Sequence, residues 1–545
     1  MNRPNDTGVS MQDFDVAVMG GGISGVYSAW RLRQALAARR PNGHLRVALF
    51  ECSDRIGGRL FSLKLPGVDV SVELGGMRFL SGHKRVVALV DYFKLAKAEL
   101  LVSDPGDKHL FYLRGHHSIG ADWKRPGFEP PYRLERGERT RSPGDLLIEV
   151  ALRHRRGVQQ HPERYRNQGF WNLLLSELSD QAYRLIRDAG GYETIVNNWN
   201  AAEAIPFLLA DFAPDAKYYR LMEGFEALPL ALAANFQATG GEIFLWHRLH
   251  RLHCDPSEGG IRLVFDQGPV TGAVSGRRIT GQEVVCRARH VILAMPRRSI
   301  EMLHPDSFIF DSETFENDIR AVLAQPGFKI FTAYRQPWWN TARDVTAGRS
   351  VTDLPLRQCY YWHTADGTNG NTNSVLMASY NDGSSVEFWA GLARRPERYQ
   401  PPPHACPPGV PIPMGDDLRG SIAPAALVDE MQRQLRELHG LADLPEPDPQ
   451  TAPFVPPYVA VFRDWSQDPF GGGWHFWKIG ADSKRVMRRM QRPIPDAPLH
   501  VCGEAWSTQQ GWVEGALETA DAVLERQLLV SPLLYRGVVV PSVSS

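Results

Sequence analysis

From Asp15 to Met19 the chain runs DVAVM, a short apolar stretch that predicts a buried strand. Apolar positions then recur at helical spacing to about Ala38. A second apolar run, RVALFE, predicts another strand and ends on Glu51. The pattern returns at Gly224, where GFEALPLALAANFQATGGEIFLWHRLHRL predicts a helix leading to a strand that carries Leu249. RHVILAMP (289–296) predicts a further strand. From about 81 to 220 the spacing is mostly helical, and between about 325 and 480 KIFTAY and SVLMASY read as strands. LHVCGEAWSTQQGWVEGALETADAVLERQL predicts a strand, a Gly-Glu turn, an aromatic loop and an amphipathic helix from about Val513. YQPPPHACPPGVPIP (399–413) fits neither period and is expected to be an exposed loop. No apolar run reaches the about 18 residues of a membrane span, so no membrane partner is expected.

Composition narrows the picture. A chain of 545 residues, 43% apolar, is too long for one core and implies two or three domains. Its 61 basic and 61 acidic residues balance, which argues against nucleic acid as the main partner. Six scattered cysteines without a CxxC pair form neither a disulfide framework nor a zinc site, and the 17 histidines form no ligand cluster, so no metal is expected. Reduced thiols fit a cytoplasmic protein. The opening stretch lacks the apolar core of a signal peptide, and residues 1–12 are expected to be a disordered leader.

The chemistry begins at the first turn. Gly20, Gly22 and Gly25 form GxGxxG between strand and helix, with Glu51 closing the second strand, which is the context of a dinucleotide fingerprint. The glycines permit close approach of a pyrophosphate to a helix N-terminus, and Glu51 would accept from ribose hydroxyls. This fingerprint does not separate NAD from FAD. DRIGGRL adds Arg55, Gly57, Gly58 and Arg59, the RxGGR pattern that follows the second strand in flavoproteins. VELGGMRF then sets Arg78 just after Gly75, Gly76 and Met77. Alone, that arginine is either a bidentate ligand or one half of a structural ion pair.

Together these segments resemble the flavin-dependent amine oxidase family. The resemblance runs from about residue 13 to 530 and is strongest to its amino-acid-oxidising branch, which includes bacterial tryptophan oxidases and snake-venom L-amino-acid oxidases. It implies an α/β fold: a Rossmann-like FAD-binding domain of the amine oxidase/glutathione-reductase type, an inserted α+β substrate domain and a helical subdomain. The expected boundaries are 13–80, 224–300 and 481–530 for the FAD domain, 81–223 for the helical part, 301–480 for the substrate domain and 531–545 for a tail. It assigns to FAD the residues Gly20, Gly22, Ser24, Gly25, Glu51, Arg59, Gly75, Gly76, Met77, Arg78, Leu249, Trp465, Gly503, Glu504, Trp512 and Val513. Monoamine oxidases carry a flavin-linking cysteine where FGGGWHFW has Trp474, so the FAD is expected to be non-covalent.

The same resemblance assigns the substrate side. Arg78 and Tyr380 would hold an α-carboxylate, Gly511 would accept from the amine, and Trp512 and Trp474 would wall the site. Lys329 would favour negative charge near the flavin N5 while O2 is reduced. The implied function is oxidation of an L-amino acid by O2 to a 2-oxo acid, ammonia and H2O2. The alternatives are a 2-monooxygenase giving an amide and CO2, an oxidase of plain amines, and a non-catalytic FAD scaffold. The preferred side chain is expected to be large and apolar or aromatic. Asp211 and Asp215 would select basic substrates if they faced inward, but acids beside Pro214 are expected at a surface turn. A homodimer is compatible with the resemblance.

Overall fold

Two sheets organise the chain. The computed structural model describes residues 12–39, 45–212, 216–255, 259–268, 282–442, 454–535 and 538–539. Of the expected leader only Gln12 is among these residues, of the expected tail 531–535 and 538–539 are, and Asp215 lies outside them.

The first sheet runs Glu242–Phe244, Val47–Phe50, Gln12–Met19, Gln282–Leu293, Gly260–Gln267 and His247–Asp255, and Leu499–Val501 also pairs with Gln282–Leu293. Gln12–Met19 is parallel to both neighbours, with Val18 level with Leu49 and Ile292. Val16 and Val18 pack with the helical layer, and Ala17 and Met19 pack on the other face. A strand covered on both faces reads as an unbroken apolar run, as DVAVM does. The helix predicted to about Ala38 spans Ile23–Arg39, and the one predicted from about Val513 spans Val513–Arg526.

Those two helices share one core with Lys84–Tyr92 and Ala227–Ala238. A buried polar network pins them. Arg31 Nη1 and Arg85 Nε each donate to the Asp521 carboxylate at 2.8 Å, and Tyr27 Oη donates to it at 2.7 Å. Glu514 accepts from the backbone N–H groups of Arg85 and Val86, both at 3.1 Å, and so caps Lys84–Tyr92 from another helix. The resemblance puts that helix in the substrate part beginning at residue 81; its apolar face instead completes the core of the first sheet's helical layer.

The second sheet runs Val459–Asp464, Gly327–Tyr334, Ser374–Asp382, Gln358–Thr364, Arg349–Thr352, Leu110–Leu113 and His116–Ile119. The hairpin 110–119 corrects the expectation that 81–223 is mainly helical up to its end: Phe111 pairs with Val351 and extends the substrate sheet. The rest of that stretch is largely helical, with Pro143–Gln160, Phe170–Glu177, Asp180–Ala189 and Ala201–Asp211 around one core. Within 399–413 the only regular element is the short turn Pro403–Ala405, as expected of a loop. Along Gly327–Tyr334, Phe328 and Ile330 face one core while Phe331 and Ala333 face the other. Strand alternation therefore sends Lys329 into the second of these cores, where residues 61–80 pack. Among the described residues no helix is long and apolar enough to cross a membrane, and no group of three or more His, Cys, Asp or Glu could hold a metal.

Candidate functional site

A cavity of about 940 Å³ opens at the glycine turn and is lined by Gly20, Gly22, Ser24, Glu51, Arg59, Gly76, Leu249, Gly503, Glu504, Gly511, Trp512 and Val513, among others. Gly25 stands just behind. A Cβ there would fall 1.9 Å from the Gly20 carbonyl oxygen, so only glycine lets the helix sit on its own turn. The Glu51 carboxylate accepts from the N–H of Gly21 at 2.6 Å and from the N–H and hydroxyl of Ser53 at 2.9 and 2.7 Å. It fixes the turn as well as facing the cavity. At Leu249 the strand pairing shifts register before Arg251, a bulge at the cavity's edge.

The lining fits a dinucleotide with a pyrophosphate. Val513–Arg526 starts at Trp512 with no side-chain cap, and Trp512, Val513 and Ala516 all line the cavity. Its free N–H groups and partial positive charge favour an anion. Arg463 also lines the cavity, and its buried Nε has no partner among the described residues. The volume lies at the upper end of the roughly 300–1,000 Å³ of small-molecule sites.

Besides Gly25, four expected cofactor residues do not line the cavity. Trp465 does not line the cavity: its indole N–H donates to the Leu74 carbonyl at 2.7 Å, behind a wall that includes Pro469 and Phe470. Gly75 is required by its neighbour, since a Cβ would lie 2.0 Å from the Arg59 carbonyl oxygen, and only Gly76 of the pair meets the cavity. Met77 is buried in the second core, and Arg78 lies beyond the cavity on the substrate side. Glu504 does line the cavity, but its carboxylate accepts from Arg59 Nη2 at 2.7 Å, His475 N at 2.8 Å and Gly511 N at 3.0 Å. Burial alone would push this carboxyl up; Arg59 and His475 hold it well below the usual carboxylate range. Glu504 is thus a clamp that gathers three segments under the cavity.

The substrate-side residues come together. Arg78 is half-buried, with its guanidinium carbon 4.4 Å from the Tyr218 ring centroid and 5.9 Å from that of Trp512. No described residue forms a hydrogen bond or ion pair with it. Burial opposes its charge, yet Tyr360, Tyr192, Tyr218 and Asp211 outweigh that and hold the guanidinium protonated. Tyr380 meets Tyr192 edge-on at 5.2 Å, and Trp474 stands 6.4 Å from both rings. Burial raises the Tyr380 phenol, which keeps it a donor. Gly511 joins this group to the cavity: a Cβ on it would touch Trp474 at 3.7 Å.

Lys329 lies opposite Tyr380 in the sheet, with its Nζ 4.5 Å from the Tyr380 ring centroid. That Nζ donates to the carbonyls of Gly75 at 2.5 Å and Glu73 at 3.2 Å. Burial pulls Lys329 down and pushes the neighbouring Glu73 carboxyl up.

Sequence reasoning missed Tyr192, Tyr218, Tyr360 and Arg463, which reach the site from separate segments with no fixed spacing to Arg78, and it passed over Glu73 in the same VELGGMRF stretch. It also missed His83, whose ring meets Trp512 at 4.8 Å and whose pKa burial lowers to about 4. Asp211 corrects an expectation. It turns inward at the end of Ala201–Asp211, accepts from Tyr218 Oη at 3.1 Å and is pushed up by burial against the pull of Arg78. Phe476 stacks on Trp199 at 3.9 Å, and the Trp477 indole N–H donates to the Ser507 carbonyl at 2.9 Å. Of the three clustered aromatics, therefore, only Trp474 joins the tyrosines.

Comparison with known proteins agrees with this geometry. The chain is 28% identical to achacin of Lissachatina fulica, over 94% of this chain and 92% of that one. It is 24% identical to L-amino-acid oxidase 4 of Hebeloma cylindrosporum, over 95% and 82%. A solved structure of putrescine oxidase bound to putrescine superposes with a TM-score of 0.64 at 16% identity, covering 95% of this chain and 99% of that one, which shows a common fold. The family model of flavin containing amine oxidoreductases matches residues 23–524, and with the glycine turn, the uncapped helix and the cavity between them, this places the chain in that family.

Proposed function

We propose that the protein is an FAD-dependent L-amino-acid oxidase. The observation that carries the reading is Arg78, a half-buried guanidinium with no hydrogen-bond or ion-pair partner among the described residues, set among aromatic rings at the end of the cofactor cavity. A planar, always-charged fork in that setting suits a carboxylate. Similarity to a protein named L-amino-acid oxidase supports the same class.

A flavin held by the glycine turn, Glu51, Arg59 and the N-terminus of Val513–Arg526 would supply the redox chemistry, as two-electron acceptor from the substrate α-carbon and donor to O2, which would yield H2O2. The chain positions the substrate. Arg78 and the Tyr380 phenol hold the α-carboxylate, and the Gly511 carbonyl accepts from the amine. Trp512, braced by the uncharged His83 ring, walls one side. Lys329 stands behind Gly75 with its amine on the Glu73 and Gly75 carbonyls, where, once protonated, it offsets negative charge arriving beyond Gly76. The released imino acid hydrolyses to a 2-oxo acid and ammonia. With Trp474 in place of a linking cysteine, the FAD is held without a covalent bond.

For the side chain we favour a large apolar or aromatic group, against Trp474 and Tyr192. The inward Asp211 favours a second reading, in which its carboxylate pairs with a basic side chain. An H2O2 assay over the twenty L-amino acids, with D-enantiomers and decarboxylated amines as controls, tests both levels. Peroxide from L-amino acids alone supports the oxidase. Peroxide from amines alone, or an amide with CO2, overturns it. Preference for lysine or arginine that Asp211→Asn abolishes would replace the aromatic reading.

A further inference from the structure

Glu73 is 1% exposed, and the reading above gives its carboxyl no task. That carboxyl accepts from Ser62 Oγ and from the N–H of Phe225, both at 2.7 Å, and no described cation lies within ion-pair distance of it. Lys329, 3% exposed, has no described carboxylate within that distance either. Its amine is tied to the Glu73 backbone carbonyl instead. Two buried, oppositely ionisable groups thus share one short stretch of backbone. Charging one of them alone is costly in such surroundings. The pair stays neutral overall whether both are charged or both uncharged, and so it titrates as one unit. Burial acts on the two in the direction of the uncharged state. Arg220 and Glu226 also face Glu73, and Arg78 faces Lys329; Glu226 is neutralised by Arg55 and Arg419.

We propose that Glu73 is the proton-sharing partner of Lys329: the proton rests on the Glu73 carboxyl in the oxidised holoenzyme and moves to the Lys329 amine when negative charge arrives across Gly75 and Gly76. The carboxyl O–H breaks, the amine lone pair forms an N–H, and nothing is oxidised or reduced at either residue. The two groups do not lie within ion-pair distance, so the transfer would run through water rather than directly. The carboxylate that remains keeps the Ser62 and Phe225 donors. An uncharged amine has both N–H groups on the carbonyls of Glu73 and Gly75, whereas the ammonium gains a third N–H and a full positive charge beside Gly75. Glu73 is in this sense a positioning residue, and the inference rests on the reading that Lys329 serves the flavin.

The test is infrared difference spectroscopy of the flavin-loaded protein, oxidised against dithionite-reduced, with no amino acid present. The expected result is loss of a protonated-carboxyl carbonyl band on reduction. The band should shift when the protein is labelled with [13C]glutamate, and the loss should be absent in Glu73→Gln and in Lys329→Met. No loss in the unsubstituted protein, no isotope shift, or a loss that survives either substitution overturns the proposal. Isotope labelling assigns the band to a glutamate, and if Glu73→Gln fails to fold, Glu73→Asp in the labelled protein decides the matter: the band should then no longer shift with [13C]glutamate. Because reduction is chemical, an absence of amino-acid oxidation would sink the functional reading and leave this result readable.

Discussion

Replacing Arg78 by alanine should cost the enzyme its hold on the α-carboxylate and little else. The guanidinium has no described protein partner, so no internal ion pair is broken. What the fold loses is a cation–π stack on Tyr218, about 0.5–1 kcal/mol. The substrate loses far more. A charged, hydrogen-bonded pair in a partly dry site contributes roughly 2–5 kcal/mol on truncation. At about 1.4 kcal/mol per factor of ten, kcat/KM should fall between about 30-fold and a few thousand-fold. Arg78→Lys keeps the charge but not the fork, and should fall between the two. The assay is steady-state H2O2 production with the preferred L-amino acid and with the amine that lacks its carboxylate. The acid should lose its advantage over the amine in Arg78→Ala, while thermal melting stays close to that of the parent. The reasoning is refuted if kcat/KM is unchanged, or if acid and amine lose rate in parallel, which would mean that Arg78 acts on the cofactor or the fold.

Acid precipitation should release all the flavin colour to the supernatant, since Trp474 stands where a covalent link would need cysteine; colour kept in the washed pellet contradicts this. In stopped-flow experiments Lys329→Met should slow reoxidation by O2 more than reduction by substrate, and the reverse order would remove Lys329 from the oxygen step. Glu504→Gln leaves Arg59 without its buried partner and should lower stability by about 3–5 kcal/mol in thermal or denaturant unfolding. The Glu504 carboxyl is depressed in the folded state, so its stabilisation is complete above the unfolded value of about 4.3 and is lost as pH falls below it; a parent-minus-Gln difference that grows with acid has the wrong sign.

What could be read from sequence was whatever a residue type enforces locally. Gly25 announces itself because no Cβ fits 1.9 Å from a carbonyl oxygen, and the helix at Val513 because its apolar period begins there. Lys329 and Tyr380 were separately legible, but their pairing across strands was not, since register is a long-range property. The aromatic surround of Arg78 was hidden for the same reason: Tyr192, Tyr218 and Tyr360 belong to a loop and two unrelated strands. Asp211 was misjudged on local grounds, because Pro214 suggested a surface turn, whereas the helix Ala201–Asp211 ends with that carboxylate against Tyr218. Trp465 was placed by analogy, and its indole N–H instead found the Leu74 carbonyl.

The cofactor cavity draws its walls from both ends of the chain, Gly20 to Arg59 and Gly503 to Ala516, and the helix behind the glycine turn anchors on Asp521, 490 residues after Arg31. On the ribosome, the glycine turn therefore emerges long before the helix that closes the pocket. A nascent chain has a nucleotide fingerprint but no nucleotide site. The pocket is complete only once the helix Val513–Arg526 has left the exit tunnel, so flavin is expected to load after synthesis. Yellow colour then reports synthesis through to residue 526, and prematurely terminated products stay colourless however well their first strands have folded.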